Sequence, residues 1–484
     1  MHSRLQSSAD MPLCVDLDGT LIFSDTLVEL VCRAMKVAPW VLFLLPFWLL
    51  RGRAYLKNQL AKRFSQYVNK LPFNEKLIEF LQQEKSRGRK IYLTTACEET
   101  LAKKIASQLE GLFDDVFGTT QALNLKSKNK AIFLSEKFGE NAFAYAGNDS
   151  ADIAVWNKSA EMVFVNANNS VKKIAKKQNP QKPFVVFDKE KRSFTFLRTI
   201  RIHQWAKNVL IFVPLLLSHN FLCAEKLLHS VLAFIAFGLC ASATYIINDL
   251  LDLENDRAHH KKKFRPIPAG EISIFTLLAV IIVFFAVALL LTISISKILL
   301  AMLVMYTIAT LMYSFKLKKL IIIDIILLAF LYIFRLYFGA EATTTPVSHW
   351  LATFATFVFL SLGAVKRYVE ILKTKETSTT KLSGRGYSVE DASIVANIGV
   401  SSGLISVLTY IIYINYGAEQ LYGNPNILFL GSFPLLYFIL KIWIKASRKE
   451  VNDDPIVHAI KTKENYVLFL LFVLIFIIAK PIIV

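Results

Sequence analysis

The sequence has few cysteines and fewer acidic than basic residues, and its start does not resemble a targeting signal. Its five cysteines are an odd number with no CxxC pair, which argues against a disulfide framework or a cysteine zinc site. The first ten residues contain no apolar stretch, so no signal peptide is expected, and Met11 is a second candidate start. Acidic residues number 37 against 56 basic ones, and the net charge is +19.

Hydrophobic residues, by contrast, are in excess. They make up 54% of the 484 residues, and the mean hydropathy is +0.44, whereas soluble proteins usually contain about 45–50%. A strongly basic chain suggests nucleic-acid binding, but such proteins seldom carry uncharged apolar runs of bilayer length. The composition therefore predicts a membrane protein without a nucleic-acid partner, whose positive charge lies in cytoplasmic loops.

The pattern changes near residue 190. Residues 1–182 alternate short apolar strands with polar helical segments, as an α/β domain with a parallel sheet does. A Lys-rich stretch with two prolines follows, and residues 183–196 are predicted to be a basic linker. Residues 197–484 are predicted to be an all-α membrane domain of about nine transmembrane helices. We expect these helices at 207–222, 228–247, 273–296, 298–314, 320–340, 349–364, 394–416, 426–443 and 466–483.

Basic residues concentrate in alternate loops of the membrane domain. The loops after the second, fourth, sixth and eighth helices are rich in Lys and Arg, and the other loops are nearly free of them. By the positive-inside rule, the basic loops and the N-terminal domain lie in the cytoplasm. The sequence thus predicts a multi-pass protein of the inner (cytoplasmic) membrane, and nine crossings leave the C-terminus outside.

A first chemical motif, LCVDLDGTL, ends the first predicted strand. Alternation along a strand places Asp16 and Asp18 on one side, at the carboxyl edge of a parallel sheet. Buried carboxylates at such an edge need a metal ion or a catalytic task. Two of them can divide the work, one as a nucleophile and the other as an acid or base.

Three later segments fit the same edge. Thr95 ends the predicted strand IYLTTA and can donate a hydrogen bond to a phosphate. Lys130 opens a predicted helix and can neutralise phosphate charge, with Lys126 and Lys128 as alternatives for that role. The segment AYAGNDSADIAVW ends a further strand and adds acidic residues to the set.

This ordered set resembles the haloacid-dehalogenase superfamily of phosphatases. The resemblance implies a Rossmann-like α/β fold, in which Asp16 forms an aspartyl-phosphate and Asp18 is the general acid/base. It also implies a Mg²⁺ held by Asp16, the Asp18 carbonyl, and Asp149 or Asp152. The sequence departs from the family in its last motif, where Asn148 stands in place of the usual aspartate. A decayed domain kept as a scaffold is the alternative.

An apolar insertion separates the first two motifs of this domain. Residues 37–50 carry no charge, contain two prolines, and are too short to span a bilayer. Arg51, Arg53 and Lys57 follow directly. An apolar wedge beside cations predicts a segment that lies in the interface of an anionic membrane. The alternative is a buried core helix of a cap, because apolar runs of this length often have that role.

The second chemical motif, NDLLDLENDR, stands at the end of the second predicted membrane helix. Asp249, Asp252 and Asp256 share one helix face at this spacing, and Asn248 lies one turn from Asp252. Three carboxylates at a membrane edge are costly unless they meet cations. Mg²⁺ bridging a diphosphate is the natural partner, because Mg²⁺ binds carboxylates together with substrate phosphates.

This pattern resembles the UbiA superfamily of intramembrane prenyltransferases. The segments QWAKN and RPIPAG narrow the match to its polyprenyl-phosphate phosphoribosyltransferases, such as those acting on decaprenyl phosphate. That resemblance implies catalytic roles for Asp249 and Asp252, metal binding by them with Asn248 and Asp256, and Mg²⁺ as cofactor. The substrate-binding residues carried over are Gln204, Lys207, Asn208, Arg257, His259, Lys262, Arg265, Tyr313, Lys318, Asp324, Arg335, Arg385 and Tyr387.

The two resemblances together predict a bifunctional enzyme. The membrane domain is expected to move phosphoribosyl from phosphoribosyl diphosphate to a polyprenyl phosphate in the bilayer, and the phosphatase domain to remove the 5-phosphate of the product. The second DxxxD motif of aromatic prenyltransferases is incomplete, since Leu320 precedes Asp324 at that spacing. The alternative enzyme attaches a prenyl diphosphate to an acceptor such as 4-hydroxybenzoate in quinone biosynthesis. A non-enzymatic phosphate-lipid carrier is the third possibility.

Overall fold

The structure is a computed structural model. It describes residues 11–65, 71–120, 123–188, 193–218, 221–259, 261–376, 382, 384–419, 421–451 and 455–479. Residues 1–10 and linker residues 189–192 lie outside the described residues. The prediction that no signal peptide is present, and the choice of Met1 or Met11 as the start, concern these first residues. The chain forms two compact units. The sheet unit runs to Thr199 and also contains Asp249–Leu278, whereas the helical unit contains Ile200–Asn248 and the residues from Ala279 onward.

The sheet unit confirms the predicted α/β class. Six parallel strands are ordered β3-β2-β1-β4-β5-β6. The strands are β1 Leu13–Val15, β2 Ile91–Glu98, β3 Asp115–Thr119, β4 Ala144–Gly147, β5 Glu161–Val165 and β6 Phe184–Phe187. The helices are α1 Thr26–Val37, α2 Leu45–Leu50, α3 Arg53–Phe64, α4 Glu75–Ser86, α5 Glu99–Ala106, α6 Lys128–Phe138, α7 Ile153–Trp156, α8 Asn169–Gln178 and α9 Thr195–Thr199.

Strand β1 lies in the middle of the sheet and places the first motif. Its three residues are fully buried, as expected of a central parallel strand covered on both faces. Val15 pairs with Leu93 of β2 on one side and with Ala146 of β4 on the other. The chain therefore leaves the sheet at Asp16, at the carboxyl edge and between the ends of two neighbouring strands, where ligands of open α/β sheets bind.

The region predicted as a linker is more ordered than its composition indicated. Residues 184–187 form β6, which pairs with β5 from Met162↔Phe184 to Val165↔Phe187. The Lys-rich stretch before it contains helix α8, whose buried side is formed by Val171 and Ala175. Two buried residues per three turns are enough to fix an otherwise charged helix on the sheet.

The apolar insertion at 37–50 is partly core and partly surface. It forms a 3₁₀ helix, Pro39–Leu44, followed by α2. Val41 and Trp48 are buried in the core of the sheet unit, whereas Phe43, Phe47 and Leu50 are 79%, 65% and 85% exposed. The core-helix interpretation thus describes one side of the segment, whereas the other side leaves an apolar face uncovered. That this face lies in a membrane interface stays a prediction.

A buried ion cluster stabilises the sheet unit at the edge opposite the motifs. Arg89, 1% exposed, precedes β2 and donates to Glu84 at 2.7 Å, to Glu161 at 2.9 Å and to the Met11 carbonyl at 2.8 Å. Buried charges are tolerated when they are paired and hydrogen-bonded in this way.

The helical unit consists of long apolar helices. Seven helices within the described residues are long and apolar enough to cross a membrane: Ala224–Leu251, Ile274–Ile293, Lys297–Phe315, Ile323–Ala342, His349–Lys375, Val389–Tyr416 and Pro425–Ser447. The α-helices that follow α9 are α10 Val213–Leu217, α11 Ala224–Leu251, α12 Leu253–Ala258, α13 Ile274–Ile293, α14 Lys297–Phe315, α15 Ile323–Ala342, α16 His349–Glu376, α17 Ala392–Tyr416, α18 Ser432–Ser447, α19 Pro455–Lys461 and α20 Lys463–Ile478.

The prediction of nine spans therefore needs correction at both ends. The first expected helix is a 3₁₀ segment, Ile202–Phe212, continued by α10, which ends at Leu217. The last is α20, which has 16 residues. A bilayer core needs about 20 helical residues, and a 3₁₀ segment does not keep the long regular ladder of an α-helix. The apolar composition of both segments had indicated spans.

Candidate functional site

The first motif begins a chain of buried polar contacts at the carboxyl edge of the sheet. The Asp16 carboxylate accepts a hydrogen bond from Lys130 Nζ at 2.8 Å. Lys130 Nζ also lies 2.8 Å from the Tyr145 hydroxyl, which donates to Asp152 at 2.8 Å. The other Asp152 oxygen accepts from the backbone N–H of Asn148 at 2.9 Å. This network locks Lys130 in line with Asp16, so a phosphoryl group on Asp16 would meet a fixed cation.

The two aspartates of the motif have raised pKa values. Burial raises the pKa of Asp16 to about 6, although the adjacent Lys130 favours the ionised form. Burial, together with the carboxylates of Asp25 and Asp16, raises the pKa of Asp18 to about 7. Asp18 accepts from the Thr26 backbone N–H at 2.8 Å, at the start of α1. A carboxyl that holds its proton more tightly than its neighbour is suited to general acid catalysis.

Asn148 and Asp149 of the last motif have different surroundings. Asn148 accepts from the Thr20 hydroxyl at 3.2 Å, and its amide lies so close to Gly19 that a Cβ there would overlap it. Asp149 is exposed and accepts from Ser150 N–H at 2.6 Å. The amide that replaces the family's aspartate is thus the side chain of the last motif that touches the DLDGT loop.

The contacts of Thr95 and of the alternative lysines differ from those of Lys130. The sequence predicted that strand β2 ends at Thr95. In the structure the strand continues to Glu98 after a shift in register. Thr95 is fully buried and accepts from Cys97 N–H at 3.0 Å. Lys126 and Lys128 are both exposed, whereas Lys130 is 3% exposed.

Two residues of this edge were not recognised in the sequence. Tyr145 connects Lys130 to Asp152, and Lys57, from the helix after the apolar insertion, lines the same cavity and donates to the Ala96 carbonyl at 3.0 Å. Tyr145 stands in an otherwise apolar strand, AYAG, and its hydroxyl, which needs a buried partner, was the available signal. The sequence assigned Lys57 to the cations beside the apolar insertion, and no pattern connected it with this edge.

The acidic motif of the membrane domain is divided between two helices. Helix α11 ends at Leu251 and α12 begins at Leu253, so Asp252 stands at the break. The three aspartates therefore do not share one face of a continuous helix. Asp249 and Asp256 are nevertheless brought together, because Arg265 Nη1 lies 3.0 Å from Asp256 and 3.8 Å from Asp249. Burial raises the pKa of Asp256, against the opposite effect of Lys262 and Arg265.

The donor atoms of this motif suit a hard cation. Among the described residues, no three His, Cys, Asp or Glu side chains converge tightly enough to form a ready-made metal centre. Asp249 and Asp256, however, already accommodate one cationic group, the Arg265 guanidinium, between their carboxylates. Carboxylate oxygens together with substrate phosphates are what Mg²⁺ prefers. The residues present therefore fit Mg²⁺, with Arg265 in position to bind a phosphate.

The neighbouring predicted residues of the sheet unit have distinct partners. Arg257 forms a two-pronged ion pair with Glu29 of α1, with N–O distances of 2.8 and 2.9 Å. Lys262 Nζ lies 3.6 Å from Asp256. His259 is exposed, and its Nδ1 accepts from the Lys261 N–H at 3.2 Å. Glu29 was not recognised in the sequence, and nothing in the pattern of α1 indicated it.

In the helical unit, a cluster of opposite charges surrounds Asp324. The side chain is fully buried, accepts from Tyr313 Oη at 2.8 Å and lies 3.3 Å from Arg385 Nη1. Arg367 Nε lies 2.6 Å from its second oxygen. Arg367 is also fully buried. It lies beyond the predicted helix 349–364, in a stretch assigned to a basic loop, so no signal in the sequence indicated it; α16 in fact continues to Glu376. Buried charges in membrane helices often mark functional sites.

A second buried polar group joins the 3₁₀ segment to α15. Asn208 Oδ1 accepts from Arg335 Nε at 3.0 Å, and Arg335 also donates to Tyr306 at 3.2 Å. Lys207 is buried with its ammonium 5.7 Å from the centre of the Tyr332 ring, a cation–π contact.

The other predicted residues of the helical unit differ in burial. Tyr387 is buried and its hydroxyl accepts from the Ile322 N–H at 2.9 Å. Gln204, Asn248 and Lys318 are half-buried.

Comparison with known proteins agrees with this architecture. The UbiA prenyltransferase family matches residues 211–457. The uncharacterized protein y4nM of Sinorhizobium fredii is 35% identical over 459 residues, which are 94% of this chain and 88% of that protein. The chain belongs to the UbiA prenyltransferase family. It is a multi-pass membrane member of that family that also carries a parallel α/β domain at its N-terminus.

Two further similarities each cover part of the chain. The decaprenyl-phosphate phosphoribosyltransferase of Mycobacterium tuberculosis (strain H37Rv) is 33% identical over 185 residues, which are 37% of this chain and 61% of that protein. A solved structure of substrate-bound phosphoserine phosphatase has 14% identity and a TM-score of 0.26 and covers 37% of this chain and 93% of its own.

Proposed function

We propose that this UbiA-family protein is a bifunctional enzyme of polyprenyl-phosphoribose synthesis. Its family domain transfers phosphoribosyl from phosphoribosyl diphosphate to a polyprenyl phosphate. Its N-terminal domain then hydrolyses the 5-phosphate monoester of the lipid product. The cytoplasm is the proposed location of both reactions, because the loops rich in Lys and Arg, which include residues 257–265, face that side by the positive-inside rule.

The charges around Asp324 favour phosphoribosyl diphosphate over a prenyl diphosphate as the donor substrate. Aromatic prenyltransferases of this superfamily are expected to use a second pair of acids, but here Asp324 has Leu320 at the paired position. The Asp324 carboxylate accepts a hydrogen bond from Tyr313 and forms ion pairs with Arg367 and Arg385. A carboxylate already balanced by two arginines is a poor ligand for a second Mg²⁺. An excess of cations suits phosphoribosyl diphosphate, which has one more phosphate than a prenyl diphosphate.

The transfer step follows from the charges of the acidic motif. Asp249, Asp252 and Asp256 would hold Mg²⁺, which would supply positive charge to the diphosphate leaving group. Arg265 is close enough to Asp249 and Asp256 to donate to the same phosphate oxygens. The bond from ribose C1 to the diphosphate breaks as the polyprenyl phosphate oxygen bonds to C1. The attacking oxygen is already an anion, so the step needs no strong general base.

The hydrolytic step follows from the carboxyl edge of the sheet. Asp16 attacks the phosphorus of the monoester, and the ribose 5-oxygen leaves with the proton that Asp18 donates. Asp18 then accepts a proton from the water that hydrolyses the aspartyl-phosphate. Lys130, held by Tyr145, neutralises the phosphoryl oxygens throughout. Mg²⁺ would be held by Asp16, the Asp18 carbonyl, and Asp149 or Asp152, and it would screen the charge of the phosphate.

The test is a lipid-labelling assay with the purified full-length protein. It is incubated with Mg²⁺, phosphoribosyl diphosphate labelled in the ribose, and polyprenyl phosphate, and the lipid phase is separated by chromatography. We expect label in a lipid without a 5-phosphate. Prenylation of 4-hydroxybenzoate from a prenyl diphosphate, without any transfer of ribose label, would instead identify an aromatic prenyltransferase.

Two variants separate the two reactions. Asp252→Asn should abolish transfer of label, whereas Asp16→Asn should leave transfer intact and accumulate the 5-phosphorylated lipid. If Asp16→Asn gives the same products as the wild type, the N-terminal domain is not the phosphatase of this reaction sequence. If Asp252→Asn transfers label at a near-normal, Mg²⁺-dependent rate, the acidic motif is not the metal site.

A further inference from the structure

The carboxyl edge of the sheet opens into a cavity that is too large for phosphate alone. Its volume is about 1250 Å³, and Asp16, Asp18 and Lys130 lie along its lining. Pockets that bury whole drug-sized ligands usually measure about 300–1,000 Å³. The cavity therefore has room for a substrate with a large group attached to its phosphoryl end.

Part of the cavity lining comes from residues within the segment that matches the UbiA family, 211–457. Residues 267 and 270–275 follow the acidic motif, and they lie in the RPIPAG segment or directly after it. They line the cavity together with Asp16, Asp18 and Gly19 of the DLDGT loop. We call residues 266–275 the loop wall. This stretch belongs to the sheet unit by its contacts, although it stands more than a hundred residues later in the chain.

An arginine fixes the loop wall to the phosphatase fold. The Arg257 guanidinium binds both oxygens of Glu29, and its Nε donates to the Pro268 carbonyl at 3.1 Å. Both charged side chains of the pair are 7% exposed. Because the guanidinium is planar and rigid, this set of bonds fixes α12, the loop wall and α1 in one arrangement.

A close backbone approach fixes the loop wall a second time. Gly270 has a φ of +64°, and a Cβ at this position would lie 2.7 Å from Phe23 Cβ. Only glycine satisfies both the left-handed backbone and the contact. The Thr195 hydroxyl, at the start of α9, also donates to Glu271 at 3.2 Å. The wall is therefore packed against the DLDGT loop.

The cavity lining is partly polar and partly apolar. The loops of the sheet domain contribute many polar side chains: Lys126, Asn148, Asn166, Asn168, Asn169 and Lys172. The loop wall and α9 supply apolar side chains, with Ile272, Ile274, Phe275 and Phe196, beside the polar Glu271 and Ser273. Phe275 is 59% exposed and Phe196 46% exposed, so both are available to a ligand. A cavity with both kinds of lining suits an amphiphile with a phosphorylated polar head and a hydrocarbon chain.

We propose that the loop wall is the specificity element of the phosphatase site, and that it selects phosphomonoesters carried on a lipid. Phe275 contacts the hydrocarbon chain next to the head group, and Arg257 and Gly270 are positioning residues. This inference rests on the proposed phosphatase function. It makes a segment of the family domain part of the neighbouring active site, so that the lipid product of transfer is the preferred substrate of hydrolysis.

The test compares two esters that share one leaving group. Farnesyl-phosphoryl-5-phosphoribose and ribose 5-phosphate both present a ribose 5-phosphate, but only the first carries a chain. The wild-type protein should prefer the farnesyl compound in kcat/KM. Phe275→Ala should lower the ratio of the two kcat/KM values about tenfold, mainly through KM, because a buried aromatic contact with the chain is lost. Phe194→Ala removes an aromatic side chain that is 74% exposed and absent from the lining, and serves as the matched control.

A second variant tests the fixing of the loop wall. Gly270→Ala forces the wall away from Phe23 and should lower the same ratio. Elution of each variant at the wild-type volume in size-exclusion chromatography verifies folding. A wild-type protein that hydrolyses neither ester contradicts the proposed phosphatase and this inference with it. A wild type active on both esters, with a ratio that neither Phe275→Ala nor Gly270→Ala changes, overturns this inference alone.

Discussion

Replacement of Lys130 by methionine tests the assignment of the phosphatase site most directly. Methionine keeps much of the length and the apolar stem of lysine but removes the ammonium 2.8 Å from Asp16. We expect phosphatase activity to fall by roughly three orders of magnitude at pH 7. Transfer of phosphoribosyl by the same preparation should be unaffected, because Lys130 belongs to the phosphatase site alone in our assignment.

The expected magnitude has two sources. A hydrogen bond to a charged group contributes about 1.5–3 kcal/mol, so its loss raises the pKa of Asp16 further above about 6. The ionised fraction of the nucleophile at pH 7 then falls roughly two- to fifteenfold. A fixed charge that stabilises the transition state contributes about 10²–10³ in kcat. The first effect, unlike the second, is recovered at high pH. The activity of Lys130→Met should therefore rise between pH 7 and pH 9 more steeply than that of the wild type.

The assay is hydrolysis of ribose 5-phosphate across this pH range. Lys128→Met is the matched control, since Lys128 lies on the same helix but is exposed, and it should stay within about twofold of the wild type. If Lys130→Met keeps more than about a third of the activity, or if Lys128→Met loses as much, Lys130 is not the phosphate-binding lysine.

Three further changes address other parts of the molecule. Phe43→Asp with Phe47→Asp removes the uncovered apolar face of the insertion, and hydrolysis of a lipid monoester in vesicles containing anionic lipid should slow several-fold more than hydrolysis of ribose 5-phosphate. Arg89→Met strands two buried glutamates and should destabilise the sheet unit by about 3–5 kcal/mol, seen as a lower midpoint for thermal loss of phosphatase activity. Arg87→Met, an exposed control, should cost less than about 1 kcal/mol. Arg385→Gln should raise the KM for phosphoribosyl diphosphate at least tenfold, and an unchanged KM would separate this arginine from the donor.

The sequence predicts the sheet domain well because its chemistry is local. Asp16 and Asp18 follow a buried apolar strand, so their position at the carboxyl edge follows from strand alternation and the parallel sheet. Lys130 was expected at the same edge because it opens a predicted helix, but its contact with Asp16 is seen only in the structure. The roles of Asn148 and Tyr145 depend on how the last loop packs on the first. That packing is a tertiary property, which neither periodicity nor spacing records.

Apolar composition alone is not sufficient to predict which segments of the helical unit span a membrane or where a helix breaks. Long apolar runs predict helices such as α13 and α14 because the bilayer requires internal hydrogen bonding. The same rule cannot tell a span from the 3₁₀ segment at 202–212, since both are apolar. It also assigns the aspartates at 249, 252 and 256 to one helix, whereas the chain breaks at Asp252. The break depends on the contacts of the segment that follows, which lies far from the sheet in sequence.

The contacts of α12 give a physical reason for the fusion of the two domains in one chain. Arg33 of α1 pairs with Glu254 of α12, and Glu29 of α1 pairs with Arg257. The two pairs have opposite polarity, so each helix offers one acid and one base to the other, and a shift of either helix would bring like charges together. Asp256 lies between the two residues of α12. A sheet unit that fixes α12 in this way also fixes one aspartate of the acidic motif, so the two proposed activities would be joined by structure as well as by a shared intermediate.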